Sequence, residues 1–69
     1  MRLTVNGEPH DWTPAPGAPC LQSLLASLGA GERKVAVVVN EDVVPASQWA
    51  SFVIREGDRV EILIYAGGG

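Results

Sequence analysis

Only one stretch of this chain has the period of an amphipathic helix, and that limits the architectures open to it. Leu21, Leu24, Leu25 and Leu28 fall at i, i+3, i+4 and i+7, a single apolar stripe. Pro19 suits the first turn of such a helix, where its missing N–H is no loss, and Gly29 suits the left-handed cap that ends it. The other apolar residues lie in short alternating or continuous runs, which read as strands. One helix can cover one face of one sheet. An α+β two-layer domain follows.

The strands can be placed from their turns. Arg2 to Val5 alternates polar and apolar, then meets Asn6-Gly7, the strongest short hairpin signal because both central residues of a type I′ turn need positive φ. The returning strand, Glu8 to Trp12, carries Pro9 and belongs at a sheet edge, since proline donates no ladder hydrogen bond. Residues 13–18 read as a loop. Lys34 to Asn40 holds five consecutive apolar residues, which suggests a strand covered on both faces or nearly so. Asn40-Glu41-Asp42 is a turn, and Val43-Val44 a brief extended piece. Ser47 reads as the cap of a short helical turn carrying Trp49 and Phe52. Val53-Ile54 is short and apolar, and Glu56-Gly57-Asp58 is another turn. Arg59 to Tyr65 is the last strand, with Val60, Ile62 and Ile64 assigned to the core face and Glu61, Leu63 and Tyr65 to the other.

Sixty-nine residues make one domain at most, with no room for a deep catalytic cleft. Cys20 is the only cysteine, which excludes an internal disulfide and a multi-cysteine metal site. No apolar run is long enough to span a bilayer, and the N-terminus does not read as a signal peptide, so a soluble cytoplasmic protein is expected. The net charge of −3 disfavours nucleic acid and suits a basic protein partner. His10 stands alone, with no serine or cysteine motif to make a triad, and reads as a surface residue. Cys20 falls at the expected helix start but reads as a small, partly buried residue. Glu56, Asp58 and Glu61 lack metal-loop spacing. Trp12, Trp49 and Phe52 are candidates for the core or its edge.

The remaining chemistry lies at the end of the sequence. Gly67-Gly68-Gly69 follows the last apolar run directly. Glycine weakens strands, so these residues do little for the fold. Three extended residues reach roughly 10 Å, enough to carry a terminal carboxylate clear of the globular body. A tail without Cβ atoms can enter a narrow channel in another protein. The chain therefore divides into a domain over 1–66 and a flexible glycine tail over 67–69.

Four stretches carry a resemblance to a known family. They are Val5-Asn6-Gly7-Glu8; Val37-Val38-Val39-Asn40 with Val44-Pro45-Ala46-Ser47-Gln48-Trp49; Glu56-Gly57-Asp58-Arg59-Val60-Glu61-Ile62; and the glycine end. In these the chain resembles the ThiS sulfur carriers of thiamin biosynthesis. The resemblance implies a ubiquitin-like β-grasp fold, a mixed sheet of four to five strands packed on one main helix. It implies a protein co-substrate with no catalytic residues and no bound cofactor or metal. An E1-like adenylating enzyme of the ThiF type would use ATP and Mg to adenylate the terminal glycine. A sulfur donor system such as a cysteine desulfurase would supply sulfur, and a thiazole synthase of the ThiG type would accept it from the thiocarboxylate.

Carried onto this sequence, Gly69 is the modified residue, and Gly67 and Gly68 thread into the partner. Glu61, Leu63 and Tyr65, on the strand face leading to the tail, are the candidate docking residues. Family members commonly end in two glycines, so removal of Gly69 would leave Gly68 as the reactive end. Two other readings keep the same tail. The small subunit of molybdopterin synthase shares the activation chemistry, but is typically longer and approaches its glycines through proline-rich sequence, where this chain has Ile64-Tyr65-Ala66. A ubiquitin-like modifier would instead join its tail to lysines of other proteins.

Overall fold

A computed structural model describes residues 1–14, 16–17, 19–30 and 35–64. Strand β1 (Arg2–Val5) turns into β2 (Glu8–Asp11); helix α1 (Leu21–Ser27) follows; then come β3 (Val35–Val39), β4 (Asp42–Val44), a 3-10 turn (Ala46–Gln48) and β5 (Arg59–Ile64). The five strands form one sheet in the order β2-β1-β5-β3-β4. β1 and β5 run parallel and every other pair is antiparallel, so the last strand lies at the centre of a mixed sheet. Pro9 lies on the outermost strand, β2, as its missing donor requires.

Two hairpins have the same turn chemistry. Asn6 and Gly7 have φ of 51° and 81°, and Asn40 and Glu41 have φ of 50° and 74°. Each pair lies between paired residues, Val5↔Glu8 and Val39↔Asp42, so both are two-residue loops with positive φ throughout. Both asparagine side chains also reach β5. Asn6 Oδ1 accepts from Ile62 N–H at 2.8 Å. Asn40 Oδ1 accepts from Arg59 N–H at 2.9 Å, while its Nδ2 donates to Asp58 at 2.9 Å.

The core lies between α1 and one face of the sheet. Leu21, Leu24 and Leu25 pack there with Leu3, Val37, Val39 and Val60, all at 1 % exposure or less. Leu28, the last residue of the leucine stripe, caps the helix and is half-buried. Gly29 takes φ +75°, and the N–H groups of Gly29 and Ala30 donate to the Ala26 and Leu25 carbonyls at 3.1 and 2.9 Å. This is a Schellman ending, and it buries Ala30.

The helix start differs from expectation. Pro19 stands one residue before the N-cap, Cys20, outside the first turn. No side chain caps the helix. The carbonyls of Phe52 and Trp49 accept from the N–H groups of Leu21 and Gln22 at 2.8 and 3.1 Å, so tertiary contacts satisfy donors that a polar cap would otherwise serve. Ser47 is likewise not a cap: it lies within the 3-10 turn, whose N-cap is Pro45. Trp49 and Trp12 are buried and Phe52 is packed against the core; the Trp49 indole donates to the Val44 carbonyl at 2.9 Å.

Two burial expectations are corrected. β3 is covered on one face only: Val35, Val37 and Val39 are buried, whereas Ala36 and Val38 are half-exposed. One seven-residue helix has no counterpart on the opposite face among the described residues. Ile64 shares the parity of Val60 and Ile62 but is 59 % exposed, because the core ends before it.

Candidate tail-presenting surface

β5 is hemmed in at its start and open at its end. Its first residues are bracketed by β1 and β3 and tied down by the Glu56–Asp58 turn. Asp58 accepts from the Arg55 N–H at 2.8 Å as well as from Asn40, and Glu56 accepts from the Arg2 N–H at 2.6 Å. These two carboxylates therefore do local structural work. Toward its C-terminal end β5 becomes exposed, with Leu63 at 54 % and Ile64 at 59 %. The chain continues from there into the glycine residues.

Of the candidate docking residues, Glu61 and Leu63 share the open sheet face, two positions apart on β5, and both are exposed. Tyr65 lies outside the described residues, as do Ala66 and the candidate tail residues Gly67, Gly68 and Gly69.

The register adds apolar residues that sequence reasoning missed. Leu63 faces Ala36 across β5 and β3, and Glu61 faces Val38. Val38 in turn faces Val43, which is 71 % exposed on β4. Alternation places Leu63, Ala36, Val38 and Val43 on one face, forming a band across three strands beside the carboxylate of Glu61. A signal for this was present: a continuous apolar strand beside a single helix must leave its alternate side chains uncovered. Contiguous exposed apolar area of this kind marks interaction surfaces.

Other ionisable groups gather into no reactive site. His10 is on β2, separated from β5 by β1. Cys20 Sγ lies 3.2 Å from Ser23 Oγ, and this hydrogen bond holds the thiol below its ordinary pKa. No group of three or more histidine, cysteine, aspartate or glutamate residues among the described ones could hold a metal ion. No helix of the described residues is long and apolar enough to cross a membrane.

A small mixed sheet gripping one helix, with its last strand central and running into glycine, defines a ubiquitin-like β-grasp protein. Comparison with solved structures agrees. The crystal structure of the thiamine biosynthesis protein ThiS from Geobacter metallireducens superposes with a TM-score of 0.77 at 33 % identity, covering 100 % of both chains. The ThiS family model matches residues 3–69. The chain belongs to the ThiS family. Among individual relatives, the sulfur carrier protein ThiS of Escherichia coli is 29 % identical over 49 residues, covering 71 % of this chain and 74 % of that one. Thiazole synthases of Paramagnetospirillum magneticum and Magnetococcus marinus are each 38 % identical over 69 residues. The match takes in 100 % of this chain but only 20 % of theirs, so the chain spans about a fifth of their length.

Proposed function

We propose that this chain carries sulfur to thiazole synthase on the carboxylate of Gly69. The observation that carries the reading is the family match, which runs through residue 69 and therefore includes the glycines. The exposed band beside the end of β5 supports it, since a carrier must be gripped close to its reacting end.

The chemistry follows from the carboxylate. A carboxylate is a poor acyl donor because its oxygen is a poor leaving group. An E1-like enzyme of the ThiF type, using ATP and Mg, would join Gly69 to AMP with release of pyrophosphate. A system such as a cysteine desulfurase would deliver sulfur as a persulfide, a thiol would reduce it to sulfide and end in a disulfide, and the sulfide would then attack the acyl carbonyl. A C–S bond forms as the C–O bond to AMP breaks, leaving a thiocarboxylate for thiazole synthase of the ThiG type. Glycine suits this chemistry because its carbonyl is unhindered. Gly67 and Gly68 provide a thread narrow enough for a channel, and Leu63, Glu61 and Tyr65, with Val43 and Val38, are the docking surface. This chain's own side chains perform no bond-making step.

Intact mass spectrometry after incubation with the activating enzyme, Mg-ATP and a sulfur source tests this reading. The expected result is replacement of one oxygen by one sulfur, localised to Gly69. No gain with an enzyme active on a known carrier overturns the reading, and a gain localised to Gly68 after loss of Gly69 moves the site by one residue.

A further inference from the structure

Beyond the end of β1, one side of β5 has no strand beside it among the described residues. β1 pairs with β5 only through Thr4↔Arg59 and Val5↔Val60, and the chain then turns away at Asn6-Gly7 into β2. β5 runs on to Ile64.

The hydrogen-bond parity shows which groups face this gap. On the β3 side, Asn40 N–H donates to the Arg59 carbonyl at 2.9 Å. On the β1 side, the N–H groups of Thr4 and Asn6 donate to the Asp58 and Val60 carbonyls at 3.0 and 2.9 Å. Even-numbered residues of β5 thus turn their backbone groups toward β1, and odd-numbered ones toward β3. The Ile62 carbonyl and the Ile64 N–H therefore point to the side where β1 has already ended. The first group left over, Ile62 N–H, is taken by the Asn6 side chain, whose Oδ1 stands where a longer β1 would present a backbone carbonyl. Among the described residues no strand pairs with the groups that follow.

An unpaired edge is a template for an extended chain. We propose that this edge of β5 is a strand-addition site, where an extended segment of thiazole synthase continues the line of β1 and pairs with the Ile62 carbonyl and the Ile64 N–H. The proposal rests on the sulfur-carrier reading and specifies how the accepting enzyme holds the root of the tail. Two observations select the occupant. The edge leads directly into residues 65–69, so a protein that draws in the tail must pass its own backbone close to it. In the relatives from Paramagnetospirillum magneticum and Magnetococcus marinus the segment like this chain is part of a protein called thiazole synthase. Paired backbone fixes the direction and register of the tail, while the guest's side chains cover Ile64, which the core leaves exposed.

The test is residue-resolved amide exchange of the full chain, alone and with thiazole synthase. Ile64 N–H should exchange freely alone and slow by about a hundredfold in the complex, while Leu63 N–H is protected in both. Ile64→Pro should weaken the complex at least about tenfold and leave the fold intact, because proline is tolerated where the N–H faces outward. Ile64→Val should bind as the parent does. A complex in which Ile64 N–H still exchanges freely overturns the strand-addition site. So does Ile64→Pro binding as tightly as the parent chain. If Ile64→Pro fails to fold, exchange in the unaltered chain decides alone. Sulfur transfer that proceeds with Ile64 unprotected sinks this site and leaves the carrier reading standing. Absence of both complex and sulfur transfer sinks the two together.

Discussion

The two halves of β5 share one strand and have opposite surroundings. At Arg59–Val60 the strand has a neighbour on each side, a buried side chain in the core, and the Asn40 side chain accepting from the Arg59 N–H. At Leu63–Ile64 it has β3 on one side, no strand of the described residues on the other, and two large apolar side chains more than half exposed. The first half anchors the sheet. The second adds little to folding and leaves its contacts open, as the proposed carrier role requires.

Substitution at the two ends should break or confirm this contrast. Val60→Ala removes two buried methyl groups at a position 1 % exposed and should cost roughly 2–3 kcal/mol, a large share of the stability of so small a domain. Leu63→Ala removes more carbon from an exposed position and should change stability by less than about 0.5 kcal/mol. Urea denaturation of both variants checks this. Equal losses would mean that the far half of β5 is as much part of the core as the near half. Leu63→Ala should instead weaken binding to the activating enzyme or to thiazole synthase, measured by calorimetry.

Asn6 marks the border between the halves, and its replacement sharpens the comparison. Asn6→Ala loses the acceptor for Ile62 N–H and places an unsuited side chain at φ 51°, for a combined loss of about 1–2 kcal/mol. Asn6→Gly keeps the turn conformation and loses only the acceptor, so thermal unfolding should place it between Ala and the parent. If Gly equals the parent, the side-chain bond contributes nothing and the border lies elsewhere.

Much of this arrangement was legible in the sequence, and what was not has a physical cause. The leucine stripe and Gly29 gave the helix, Asn6-Gly7 gave the first hairpin, and Pro9 gave an edge strand, because each is a local rule that the chain obeys locally. The open faces of Ala36 and Val38 were misjudged because a continuous valine run looks the same whether one face is covered or two; only the number of covering helices decides. Ile64 kept the right parity and the wrong burial, since alternation states which face a residue takes and not how far the core extends. Asn6 Oδ1 reaching Ile62 is a contact across fifty-six positions, and no local pattern announces it. Gly67, Gly68 and Gly69, the strongest functional signal in the sequence, lie outside the described residues.

A small stabilising substitution tests whether the halves are independent. Glu41 occupies φ 74°, where a non-glycine side chain is strained, in the same two-residue turn that the chain builds at residues 6 and 7 with Asn-Gly. Glu41→Gly should stabilise the fold by about 0.5–1 kcal/mol, less the entropy that glycine adds to the unfolded chain. Amides of the paired centre away from that turn, such as Val38, which the register pairs with Glu61, should then slow in proportion. Leu63 N–H, which the register pairs with Ala36, exchanges by local opening of the far half, and that opening does not involve the turn at 40–41. Its rate should therefore stay where it was. If Leu63 slows in step with the centre, β5 opens as one unit, and a partner that draws in the tail must work against the stability of the whole domain.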